Sequence, residues 1–134
     1  MTIFHKFNKK IYLMKYLKNL PNYLLSLIFI VFGLNFFLNF MPLPPMEGDP
    51  ATFMGVLYST GYLSVIKVLE IVLGITLLIP RFKKISLIML TPIVINILLF
   101  ELLMVGGPGI GLLLVALTCF SFYSDRKEYI KLIK

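Results

Sequence analysis

Cysteine occurs once in this chain, at Cys119 within an apolar run, which excludes an internal disulfide framework, a CxxC redox pair and a thiolate zinc site. Histidine also occurs once, at His5 in a basic N-terminal stretch. A haem held between two histidines is therefore excluded, and too few ligands remain for most metals, so no metal site is assigned. Charge is scarce as well, at 14% of 134 residues, with only six acidic side chains. No nucleophile paired with a base, no metal cluster and no phosphate-cradling loop can be found, so no catalytic residue is assigned and an enzyme acting alone ranks last. Redox chemistry would have to come from a partner or a bound organic cofactor.

What the chain has instead is oil. It is 59% hydrophobic with a mean hydropathy of +0.94, far above what a soluble domain of this length needs to fill one core. A bilayer is the expected partner. At about 20 residues per crossing, 134 residues hold about four helical spans and leave no room for a soluble catalytic domain. The formal charge of +7 is carried by residues beside apolar spans rather than on a soluble face, which argues against nucleic acid.

The chain divides into a basic arm (1–20), a membrane domain (21–123) and a basic tail (124–134). In the arm, Phe4, Phe7, Ile11, Met14 and Leu17 recur at helical spacing among five lysines, the pattern of a helix lying on an anionic membrane surface. No small residues follow the next apolar stretch, so removal as a signal peptide is not expected. Asn19 and Pro21 predict a cap and first turn for span one, about 21–40, and the proline run MPLPPMEGDP ends it. Asp49 and Pro50 repeat the start signal for a short helix expected at the membrane interface, stopping near Gly61. Spans two (61–79), three (85–104) and four (110–123) follow, broken at Pro80 and at GGPGIG. The expected fold is all-α, an integral-membrane four-helix bundle.

Lysine and arginine are retained on the cytoplasmic side. The arm holds five, the turn from Arg81 to Lys84 three and the tail four, whereas the connections at 41–60 and 105–109 hold none. Both termini are therefore expected in the cytoplasm, with the proline-rich loop outside.

Polar residues inside the spans mark the candidate site. Ser64, Lys67, Glu70 and Gly74 fall on one helical stripe, and Asn35 and Asn39 are one turn apart. At about 1.5 Å of rise per residue, Lys67, Glu70, Asn35, Asn96, Asn39 and Glu101 all lie in the outer half, and the inner half shows no comparable groups. Charges there should face protein or water rather than lipid. This predicts a polar pocket between spans one, two and three, opening outward and lined by these six. Two readings of the pair remain open: Lys67 and Glu70 lock helix register, or Glu70 holds a proton or ligand. Gly74 is expected to let a neighbouring helix approach, and Pro92 to kink span three.

The motifs FGLNFF at Phe32, FMPLPP at Phe40, TGYL at Thr60, KVLEIVLGITLLIPRF from Lys67 and TPIVINILLFE from Thr91 resemble, in order, those of the DoxX family of small bacterial membrane proteins, over about residues 22–123. The resemblance implies a four-helix membrane fold in the bacterial inner membrane, with Glu70, Asn35, Pro92 and Asn96 at family positions. Many relatives carry histidine where this chain has Glu101, so a role needing an imidazole there does not transfer. The family is named after a subunit of an archaeal thiosulfate:quinone oxidoreductase. The expected function is thus a non-catalytic subunit or scaffold of a membrane redox or envelope-stress system, with a redox partner subunit or a second copy as candidate partners and a quinone-like lipid as candidate ligand. The alternative is a small proton- or cation-coupled transporter using Glu70.

Overall fold

The computed structural model describes residues 2–133; Met1 of the arm, Lys134 of the tail and the side chains of Tyr12 and Lys15 lie outside the described set. Six α-helices account for most of the chain: α1 (Thr2–Leu38), α2 (Asp49–Ser59), α3 (Tyr62–Leu77), α4 (Lys83–Phe100), α5 (Ile110–Ser124) and α6 (Arg126–Ile133), with a π-helical turn at Glu101–Val105. Among the described residues there is no strand. Two stretches, Thr2–Leu38 and Lys83–Val105, are long and apolar enough to cross a membrane, and a third is if α2 and α3, bent by 83° at their junction, are taken as one. α5 is apolar but shorter.

α1 departs from expectation. It runs as one helix of 37 residues straight through Pro21, where the arm was expected to end and span one to begin. Proline at 21 removes only one amide donor, that to the carbonyl of Leu17, and Asn22, Leu25 and Ser26 directly after it are buried against neighbouring helices, which hold the chain helical. Asn19 does not cap a helix either, because its Oδ1 accepts a hydrogen bond from Lys83 Nζ at 2.8 Å. α1 ends where Asn39 takes φ +52°, and its amide donates to the Asn35 carbonyl. Asparagine tolerates this left-handed conformation better than most side chains.

The expected short helix is present as α2, and Gly61, at φ +81°, turns the chain into α3. α3 is 16 residues and α5 15, each shorter than the ~20 that a full crossing needs. α4 runs as a helix on both sides of Pro92, where a kink is expected, and the Thr91 hydroxyl donates to the Leu87 carbonyl at 2.8 Å. The irregular turn comes later, where the amides of Gly106 and Gly107 both donate to the Glu101 carbonyl.

α1 packs on α3 and α5, and α4 on α3 and α5, so four helices close around one core of Leu25, Phe29, Leu73, Leu77, Leu87, Leu90, Val94 and Leu114. The start of α1, the α3–α4 turn and α6 lie at one end, here the terminal end. The proline-rich segment, α2 and the π turn lie at the other, the loop end.

Candidate functional site

Glu70 sits on the inward stripe of α3 with Leu63, Leu73, Gly74 and Leu77, and only 3% of it is exposed. Its Oε2 accepts from Lys67 Nζ at 3.2 Å, one turn earlier on the same helix. The Lys67 side chain is 21% exposed, so the pair has a sheltered acid and a base reaching toward the surface. Glycines let α1 press against this stretch. A Cβ on Gly33 would lie 2.5 Å from Ile71 Cγ1 and 3.3 Å from the Lys67 carbonyl oxygen, and one on Gly74 3.0 Å from Ile30 Cγ1.

The other expected site residues do not join the pair. Asn35 is buried, but its side chain works on its own strand of chain: Oδ1 accepts from the Met41 amide at 2.7 Å and Nδ2 donates to the Met41 carbonyl at 3.2 Å. This two-point clasp pins the turn that leaves α1. Asn39 is exposed and supplies the helix-ending backbone described above. Asn96 lies on the exposed side of α4, away from the core. Glu101 reaches across the GGPGIG connection, where its carboxylate accepts from the amides of Gly109 at 2.9 Å and Gly111 at 3.0 Å. A carboxylate on the first amides of α5 satisfies donors that the helix cannot, and it complements the positive helix end.

The six residues therefore form three separate devices and an outlier, rather than the lining of one outward pocket. One concavity of about 340 Å³ is lined by Lys18, Ser124, Asp125, Arg126, Lys127 and Glu128 at the terminal end, and a shallow one of about 280 Å³ by Ser64, Val65, Val68 and Leu69. Neither touches Glu70, Asn35 or Asn96.

Sequence reasoning missed the terminal end. It holds a second polar layer, contrary to the expectation that this half is bare. Asp125, 6% exposed, accepts from Lys83 at 2.7 Å and Lys18 at 3.4 Å, and Lys83 also reaches Asn19. The hydroxyls of Thr76 and Ser86 meet at 2.6 Å between α3 and α4. Asn22, Ser26 and Ser121 are 2%, 1% and 0% exposed, and their side-chain polar atoms have no hydrogen-bond partner among the described residues. The available signal was the i, i+4 spacing of Asn22 and Ser26 on α1 and of Ser121 and Asp125 on α5. Nothing in that spacing distinguishes them from other buried or solvated polar residues of a helix, because which face is buried depends on the neighbouring helices.

Tyr129 on α6 packs edge-on against Phe122 with ring centroids 4.7 Å apart. Burial, then the nearby carboxylates of Asp125 and Glu128, push its hydroxyl up to about 12. Among the described residues no three His, Cys, Asp or Glu side chains group so as to hold a metal ion. Comparison with known proteins finds no matching family model, no matching curated protein and no matching solved structure.

Proposed function

We propose that the chain is a DoxX-like protein of the bacterial inner membrane, crossing it four times with both termini in the cytoplasm, and that it serves as a non-catalytic subunit or scaffold of a membrane redox or envelope-stress assembly. One observation carries the scaffold reading. Five of the polar side chains toward the loop end, Lys67, Glu70, Asn35, Asn39 and Glu101, sit in contacts or turns of the chain itself, as Lys67 with Glu70, Asn35 with Met41 and Glu101 with Gly109 and Gly111, while the outward faces of α3, α4 and α5, Asn96 apart, stay apolar and exposed. Polar groups spent on holding helices and loops in place stabilise a rigid bundle whose apolar flanks suit lipid or another membrane subunit. The redox and envelope-stress setting rests on the motif resemblance alone, which is an analogy of fold rather than of site.

Extraction in native lipid particles followed by mass spectrometry tests this. A stoichiometric membrane partner, or a second copy, is expected to travel with the chain. A lone monomer at native expression would overturn the scaffold reading.

A second reading, proton- or cation-coupled transport through Glu70, is favoured by the burial of that acid on the interior stripe of α3. Proteoliposomes that show wild-type flux abolished by Glu70→Gln would establish it. Absent flux, or flux unchanged by the substitution, would remove it.

A further inference from the structure

The polar layer at the terminal end holds buried polar atoms that the protein leaves unpaired. The Lys18–Asp125 contact at 3.4 Å sets the register of α1 against α5, two antiparallel helices. One turn further into the bundle on each helix come Asn22 and Ser121, which this register places opposite one another. The next turn brings Ser26 and Thr118. Thr118 is satisfied by the Leu114 carbonyl at 2.7 Å, but both polar atoms of Asn22 and the hydroxyls of Ser26 and Ser121 find no partner among the described residues. Three side chains at most 2% exposed thus carry four polar atoms whose hydrogen-bonding capacity the protein does not meet. The cluster begins one turn below Lys18 and Asp125, both of which line the 340 Å³ concavity.

The geometry points to a hydrated inlet: water enters from the Lys18–Asp125 concavity, bridges Asn22 and Ser121, and reaches Ser26. These side chains suit water because they offer donors and acceptors of both kinds, and the solvent-lined concavity begins one turn away at Lys18 and Asp125. An apolar ligand would leave the amide and hydroxyls unpaired, and an anion would find no free positive charge at Asn22 depth, since Lys83 and Lys18 are drawn to Asp125. The inlet ends against α3 at a telling place. A Cβ on Gly74 would lie 3.3 Å from the Ser26 carbonyl oxygen, and Glu70 is one turn further along the same helix face. Polar access to the middle of the bundle therefore comes from the terminal end, opposite to the side expected from the charged residues.

Two measurements on the whole chain in lipid particles test the inlet. In radiolytic labelling, hydroxyl radicals born from bound water oxidise the side chains that they touch. Leu25, flanked on α1 by Asn22 and Ser26, and Leu90 on α4 are both 0% exposed, so bulk solvent reaches neither. Leu25 is expected to label several-fold faster in the unmodified protein, and equal rates would overturn the proposal. In a Cys119→Ser background, Ser121→Cys is expected to react with a small water-soluble thiol reagent, and Leu114→Cys, as deeply buried two turns away, is not. Equal inertness of the two would overturn it too. If either variant fails to fold, the labelling of the unmodified chain decides.

Discussion

Single residues decide how closely these helices approach. A Cβ on Gly111 would fall 2.9 Å from the Leu98 Cα and 2.6 Å from Glu101 Oε2, so backbone as well as a flexible carboxylate stands in its way. Gly111→Ala is expected to lower stability by about 1 to 3 kcal/mol through overpacking and loss of the α5 cap, measured as a drop in melting temperature in detergent. Gly55→Ala on α2 meets nothing within 4 Å and serves as the control, with no loss or a small gain in helix stability. Tyr129 gives a pH signature. Its folded value of about 12 is above the ordinary 10.0, so the neutral hydroxyl is favoured in the folded state. The associated stability is complete below pH 10 and is lost as pH rises toward 12. Tyrosinate absorbance should show one late-titrating tyrosine that releases together with α6, and Tyr129→Phe should remove both the late phase and that part of the alkaline sensitivity.

Elements are joined at the terminal end by one buried carboxylate. Asp125 at the close of α5 accepts from Lys83 at the start of α4 and from Lys18 on α1, and Lys83 also holds Asn19. Removing the carboxylate leaves the largely buried Lys83 with only the Asn19 amide, while the half-exposed Lys18 turns to solvent, so Asp125→Ala should cost about 1 to 3 kcal/mol, read by denaturation in mild detergent. The double variant Lys83→Met with Asp125→Leu should recover most of it, because matched apolar groups leave no stranded charge. Lys84 and Glu128, 43% and 51% exposed, are also paired, but that pair is solvated and its removal should change little. These contacts explain an error in sequence reading. Asn19 and Pro21 have the composition of a helix start, yet α1 continues through them, because Asn19 is engaged by a lysine 64 positions away. Local composition carries no information about that partner.

The whole molecule offers apolar flanks on α3, α4 and α5, and its basic residues other than Lys67 fall in the arm, the α3–α4 turn and the tail, which belong to the terminal end. Cysteines introduced at Ser59 and at Gly107 are therefore expected to be labelled from the same side of the membrane, opposite to one placed at His5. Labelling of Ser59→Cys and Gly107→Cys from different sides would break the four-span proposal. α3 and α5 reach only about 24 and 22 Å at 1.5 Å per residue, less than the ~30 Å hydrocarbon core. The bilayer is expected to thin beside them, or α2 to complete the crossing of α3. Oriented infrared measurement of helix tilt would separate these, since the 83° bend puts α2 nearly across α3.

The amino-acid sequence by itself determined that the chain is helical and suited to a membrane, because hydropathy and helical spacing are properties of neighbouring residues. The breaks near Gly61, Pro80 and GGPGIG were legible for the same reason, as was the sheltering of Glu70, since a charge in an apolar helix has few tolerable surroundings. Tertiary structure alone decided the partners. Asn35 turned to its own turn, Glu101 to the start of α5 and Asn96 to the exterior, while neutral Asn22, Ser26 and Ser121 were buried on α1 and α5. Which polar atoms meet depends on helix rotation and register, and those are set by glycine approaches and core packing between segments distant in sequence.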